Sequence, residues 1–443
     1  MGNFIKRNIS KDVLSIGINQ IWRIFAGPIT LLLIPAFISP EVQGYWYTFG
    51  SLSALSILAD LGFSTIVLQF AAHEYAYLAI DDNGYISGDQ EHLNRLASFF
   101  RFTVKWLALI VSISFPVIFG IGFYLMSQKT VTINWLYPWI IFIIGSGISF
   151  FTNTILYFFE GCGSLGLGQR TRWYISVIST LILWICLFAH FSLYSLALAS
   201  VLSSAVGTGL IWWNFKGLIK IFMQISRDYY YSWKSEFFPL LGRYSISWAS
   251  GYLIFQIYTP LMFHFHGAVE AGKVGISISL WTTIFSISNI WVYAATPRMN
   301  MLVSKKEWKD LDRELKRSLT LSLITYLLGI IGFICFIYLL SFKIDLLPRF
   351  ASPPALAMLG AGWFCQMIIN TIAVYLRAHK EEPFVLPSVI SAIYIVIVTF
   401  LVARYLPAEC YFLGFLTSYV FGLPWAVLLI HKKRRFGHKT AIE

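Results

Sequence analysis

Apolar runs of about twenty residues recur along almost the whole of this chain, separated by short polar connections. In hydrocarbon an unpaired backbone N–H or C=O costs several kcal/mol, so a membrane segment must be a helix or part of a closed barrel. Runs of this length, without the two-residue alternation of barrel strands, specify helices. Twelve are predicted, at 15–38, 42–70, 102–126, 135–159, 173–190, 193–215, 239–262, 274–296, 318–340, 354–377, 386–405 and 410–430. Only 12% of the 443 residues are charged and 57% are hydrophobic, about half the charge of a soluble domain. The chain is therefore expected to be an all-α polytopic membrane protein. The first run lacks a small-residue cleavage site and is read as a retained span.

Lysine and arginine set the orientation. Segments on the amino-terminal side of the membrane carry 26 of the 33, and the opposite side carries five: Lys129, Lys273, Lys343, Arg349 and Arg404. Positive charge stays inside, so both termini are expected in the cytoplasm. The net charge of +12 is then a consequence of topology and of attraction to anionic lipid, and requires no nucleic acid. The loops on the far side are short, the longest lying around Phe342–Ser352, and leave no room for a folded domain there.

The two halves echo each other. "NTILYFFEGCGSLGLGQR" from Asn153 and "NTIAVYLRAHKEEPFVLP" from Asn370 both close a span and enter a cytoplasmic loop. "IPAFISPEVQGYW" around Pro35 is echoed around Pro260. Both offsets are near half the chain, which suggests two six-helix bundles related by duplication. The expected division is 1–215, a cytoplasmic linker at 216–238, and 239–443 with a basic tail. Six is an even number, so the repeats are parallel, and such repeats commonly frame a site.

Polar residues inside the spans mark where that site lies. At 100° per residue, Ser15, Asn19, Arg23, Ala26 and Thr30 fall within about 80° of one another. Arg23 therefore sits on a polar stripe facing protein or water. Span four carries Ser146, Ser149, Asn153, Tyr157 and Glu160 on one face, and span ten carries Gln366, Asn370, Ala373 and Arg377. Span seven carries Arg243, Ser247 and Ser250; span two carries Ser53, Ser56, Asp60 and Ser64. Such stripes also glue helices together, and snorkelling suffices for Arg243, Glu160 and Arg377 near the interface. Asp60 is read as an ion-pair partner of Arg23 or as a coupling carboxylate, and Glu160 as a second candidate of the same kind. Cations outnumber anions in the inward set, which favours an anionic cargo, because guanidinium binds phosphate in bidentate fashion.

Other motifs have plainer readings. Gly161, Gly163 and Gly166 fit G-x-G-x-x-G, but no strand precedes them, so they are read as an inter-helix turn and not as a dinucleotide site. His264, His266 and Glu270 are too few for a metal site, and Asp81, Asp82 and Asp89 read as a solvated loop. Leu93–Lys105 is expected to lie along the membrane as a basic amphipathic helix. "KKRR" at 432–435 reads as an inside anchor. Cys162, Cys186, Cys335, Cys365 and Cys410 show no paired spacing and are expected to be free thiols.

"ISPEVQGYWYTFGSLSALSILADLGFSTIVLQFAA", with its pair Asp60 and Gly62, resembles the second span of polysaccharide-biosynthesis exporters. "YLRAHKEEPF" resembles their cytoplasmic turn after span ten. These are the Wzx-type O-antigen and polysaccharide flippases of the multidrug/oligosaccharidyl-lipid/polysaccharide (MOP) superfamily. The resemblance implies a V-shaped pair of six-helix bundles in the bacterial inner membrane. It implies a transporter and not an enzyme, one that moves undecaprenyl-pyrophosphate-linked oligosaccharide from the cytoplasmic to the periplasmic leaflet by alternating access. Arg23, Asn19, Arg243, Asn153, Asn370, Gln366 and Arg377 are then the candidate cavity residues. No cofactor or metal is expected, and coupling to a H+ or Na+ gradient and contact with other polysaccharide-assembly proteins are both compatible with the resemblance. A cation antiporter of the multidrug-extrusion (MATE) type is the nearest alternative, although its cargo calls for more carboxylates than Asp60. A polysaccharide polymerase or ligase is the next, although the chain lacks the long periplasmic loop of that class.

Overall fold

The computed structural model describes residues 22, 24–80, 86–129, 133–225, 231, 233–341, 347–379 and 382–437. Apart from a two-stranded antiparallel sheet, β1 (Leu78–Ile80) and β2 (Ile86–Gly88), the regular structure among the described residues is helical. Among the described residues, eight helical stretches are long and apolar enough to cross a membrane. They are α5 (Gln90–Ser127), α6 (Leu136–Gly161), α7 (Leu165–Phe188), α8 (Leu193–Gln224), α13 (Trp308–Ser341), α14 (Pro353–Ala378), α15 (Val385–Tyr405) and the stretch Ala408–Arg434, which includes α16 (Leu413–Thr417) and α17 (Tyr419–Gly437).

Two more spans are bent. Pro40–Asp60, made of α2 (Pro40–Ser53) and α3 (Ser56–Asp60), meets α4 (Phe63–Tyr75) at 45°; α11 (Ala268–Ser288) meets α12 (Ile290–Ser304) at 40°. The remaining two expected spans coincide with α1 (Ile24–Phe37) and with α9 (Lys234–Phe255) followed by α10 (Tyr258–His266). These are the first and seventh, the repeat partners; over its described residues α1 is a shorter apolar helix.

The chain packs as two compact units, Met1–Ile38 with Phe49–Ala249, and Ser39–Thr48 with Ser250–Glu443. In the first unit the core is aromatic: Phe63, Phe99, Phe158, Phe159, Trp233 and Phe237 are all at most 2% exposed. Phe159 stacks on Phe215 at 4.1 Å, and Phe99 lies 4.8 Å from Trp233. In the second, Met299, Leu311, Tyr375 and Ala426 form a corresponding core. There Gln43, on α2, donates to the carbonyls of Gly272 and Arg349 at 2.9 and 3.1 Å.

One expectation is corrected. Leu93–Lys105 is not a separate helix; it belongs to the beginning of α5, which starts at Gln90 and runs for 38 residues, about 57 Å. Leu96, Ala97 and Phe99 are fully buried and Phe100 is 3% exposed. The apolar face that reads as lipid-seeking is satisfied by Trp233 and Phe237 from a segment far along the chain. Helix likewise covers much of 216–238, since α8 runs to Gln224 and α9 starts at Lys234.

The break between α3 and α4 is built from local chemistry. Leu61 and Gly62 both take left-handed backbone angles, with φ of 46° and 87°. Only glycine adopts that region freely; a Cβ there costs about 1–2 kcal/mol. Gly62→Ala is therefore expected to destabilise the protein by about 1–2 kcal/mol, measured as a lowered thermal midpoint in detergent. Unchanged stability would mean that the break relaxes without cost.

Candidate functional site

A cavity of about 480 Å³ lies inside the first unit, between α6, α7 and α8. Its polar lining consists of Ser149, Asn153, Arg172, Ser176, Ser179, Thr180, Ser200 and Ser203, with Phe142, Ile175, Leu183, Leu196 and Ala199 between them. Each helix contributes residues three or four apart, so each presents one polar face to the same space. No carboxylate is among the described lining residues, and Arg172 is their one charged group.

Arg172 is held on several sides. Its Nε donates to Glu160 Oε1 at 3.1 Å, and its Nη1 donates to Asn153 Oδ1 at 2.7 Å. The Tyr157 ring lies 4.4 Å from the guanidinium carbon, a cation–π contact. Glu160 Oε1 also accepts from Gln169 Nε2 at 3.3 Å. The Glu160 side chain is only 3% exposed and that of Arg172 is 18% exposed. Gly168 makes room for the pair, because a Cβ there would come within 2.6 Å of Glu160 Cγ and Oε1. Arg172 Nη2 is buried without a hydrogen-bond partner among the described residues. A guanidinium carries five N–H donors, so this arrangement leaves donor capacity that the described residues do not use.

Four residues of the span-four stripe thus have defined places: Ser149 and Asn153 line the cavity, while Tyr157 and Glu160 hold Arg172. Sequence reasoning missed Arg172 because hydropathy starts the fifth span at residue 173, whereas α7 starts at Leu165. Extending the helix back puts Arg172 on the same face as Ser176, Ser179, Thr180 and Leu183, within about 100° of arc.

The other candidates lie elsewhere. Asn19, Arg23 and the side chain of Arg243 lie outside the described residues. Asp60, at the end of α3, accepts from Ser64 N at 3.1 Å and Ser64 Oγ at 2.5 Å; Ser64 Oγ in turn lies 2.8 Å from Thr154 Oγ1 on α6. Asp60 thereby satisfies a free N–H at the start of α4. In the second unit Asn370 donates to Asn289 Oδ1 at 2.9 Å, and Asn289 is the residue at the break between α11 and α12. In each unit, then, the broken span is tied to the helix that carries the Asn-Thr pair. Asn153 and Asn370 are sequence echoes with different partners.

Gln366 accepts from the Tyr419 hydroxyl at 3.0 Å. Arg377 pairs with Glu382 at 2.9 Å, half-exposed, the kind of surface pair that contributes little. His266 Nε2 lies 2.8 Å from the Ala403 carbonyl, and Glu270 pairs with Lys273. Residues 162–164 form the turn between α6 and α7, with Gly161 ending α6 and Gly166 in the first turn of α7, so a helix and not a strand precedes the glycines.

No protein-family model matches the sequence, and no curated protein matches it. Solved structures do match its fold. An inward-facing MATE-family multidrug resistance transporter of the MOP superfamily aligns with a TM-score of 0.61 at 12% identity, covering 96% of this chain and 99% of its own. The Vibrio cholerae MATE transporter VcmN aligns with a TM-score of 0.54 at 14% identity, covering 97% of each chain. A MOP superfamily transporter from Pyrococcus furiosus, described by the reverse polarity of its binding pocket, aligns at 0.52 and 12% identity, over 96% of this chain and 95% of its own. This chain is a multi-pass, all-α membrane protein with the fold of the MATE-type transporters of the MOP superfamily.

Proposed function

We propose that this protein is a transporter that moves a diphosphate-linked, sugar-bearing lipid, undecaprenyl-pyrophosphate-linked oligosaccharide, from the cytoplasmic to the periplasmic leaflet of a bacterial inner membrane. The observation that supports this is Arg172: a cation that lines a hydroxyl-rich cavity whose described lining has no carboxylate, with one nitrogen unpartnered among the described residues. A guanidinium receives a phosphate oxygen through short, charge-assisted bonds. Ser149, Ser176, Ser179, Thr180, Ser200 and Ser203 offer hydroxyls that both donate and accept, which suits phosphate and sugar alike. The described lining offers a cationic drug no carboxylate to pair with, so it favours this reading over a multidrug antiporter. The reverse pocket polarity and different function given for the Pyrococcus furiosus transporter are a precedent for such a change on this fold.

Neither a diphosphate nor a glycan crosses about 30 Å of hydrocarbon unaided. In this reading Arg172 and the serines replace water around the head group while the prenyl chain stays in lipid. Asn19, Arg23, Arg243, Gln366, Asn370 and Arg377, none among the described lining of this cavity, remain proposed cargo-contacting residues, and Asp60 a proposed coupling carboxylate for a H+ or Na+ gradient. Contact with other polysaccharide-assembly proteins belongs to the same reading.

The test is deletion of the gene followed by leaflet analysis of lipid-linked glycans. Complete repeat units should accumulate on the cytoplasmic face. Re-expression of Arg172→Gln should restore less than about a tenth of the transport, the scale set by losing one charged hydrogen bond. Units already outside but not lengthened would point to a polymerase, and unchanged glycans with lost efflux of organic cations would point to an antiporter.

A further inference from the structure

We infer that Glu160 is a built-in competitor for the cargo anion: it neutralises Arg172 in the empty cavity and so sets how weakly the anion is held. The inference rests on reading the cavity as an oxyanion site. Its basis is the division of the guanidinium between two tasks. The Nε edge is committed to a carboxylate at 3.1 Å that is itself 3% exposed, while Nη2 is buried with no partner among the described residues. Glu160 and Arg172 together carry no net charge, so an incoming diphosphate meets a neutralised cation and not a bare one.

The two anions need not share one N–H, since Glu160 and Asn153 engage Nε and Nη1 and leave Nη2 without a partner among the described residues. They interact through charge. At a partly buried site two anions sharing one cation repel by a sizeable free energy, and that coupling is reciprocal. A transporter gains from this, because a site must bind strongly enough to load and weakly enough to release. Gln169 holds the carboxylate in place at 3.3 Å, and Gly168 gives it room. Glu160 is therefore a positioning and affinity-setting residue and does not itself bind cargo.

The experiment uses the full chain in lipid nanodiscs titrated with inorganic pyrophosphate. Wild type should bind, and Arg172→Gln should not. Glu160→Gln, which keeps the shape and one acceptor oxygen but removes the charge, should tighten binding about tenfold or more, within the usual range of coupling between sites. Gln169→Glu, which adds a second carboxylate beside the first, should weaken it by a similar factor. In transport assays Glu160→Gln should lower KM and kcat together, the mark of a site that holds its ligand too well. If Glu160→Gln does not fold, the sign of the Gln169→Glu effect decides the matter. Wild-type binding that neither charge change alters would overturn the inference and leave the proposed function standing. Absence of Arg172-dependent binding in wild type would overturn both.

Discussion

Arg172→Ala is expected to cost about 3–5 kcal/mol of stability, the range for removing one partner of a buried ion pair. The cost comes from what is left behind. Glu160 is 3% exposed, and its other hydrogen-bond partner is Gln169 at a long 3.3 Å. Without the guanidinium it is a carboxylate with little compensation. Asn153 Oδ1 loses its 2.7 Å donor, and the Tyr157 ring loses its cation. The double variant Arg172→Ala/Glu160→Gln should recover most of the loss, because no charge then remains buried. Thermal unfolding of the four proteins of this cycle measures the coupling directly. A single variant within about 1 kcal/mol of wild type, the size of a surface pair, would show that Glu160 is held by something other than Arg172. Transport should be absent in both variants, so recovered stability without recovered activity separates the two roles of Arg172.

That pair also shows where a sequence stops being readable. The polar face of span four follows from helical period alone, and Ser149, Asn153, Tyr157 and Glu160 all have places at the cavity or around Arg172. Arg172 itself was hidden by the criterion that finds spans: an apolar window ends where charge begins, and a helix does not. The partner of an intramembrane carboxylate is the charge most easily cut off in this way. The echo of Asn153 in Asn370 was legible, but their separate partners were not, because Arg172 and Asn289 lie on other helices. The same limit applied to Leu93–Lys105. Its apolar positions are plain in the sequence, but lipid tails and phenylalanine rings are equally apolar, so the pattern does not distinguish them. Trp233 and Phe237, more than a hundred residues later, make the difference.

Trp233→Ala is accordingly expected to be the other large loss, about 3–5 kcal/mol for a buried tryptophan truncated to alanine. Trp233 is 2% exposed, with ring centroids of Tyr231, Phe99 and Phe70 at 4.6, 4.8 and 5.9 Å and the Arg95 guanidinium at 5.7 Å. Removing the indole opens a void that these neighbours line and takes one of two aromatic faces from Arg95, which also pairs with Glu74 at 3.2 Å. The indole N–H has no hydrogen-bond partner among the described residues, so the contribution comes from shape and area and not from a polar bond. Trp233→Phe should therefore retain most of the stability and differ from alanine by about 2 kcal/mol or more, since it refills much of the void. Thermal unfolding gives the two values, and hydrogen exchange over 231–241 should rise in the alanine variant only. Equal losses for phenylalanine and alanine would mean that the nitrogen matters after all, through a bond to water. No change in either would mean that the α9 end of this core is held by Phe237 alone, and that the beginning of α5 is free to meet lipid as its own sequence suggests.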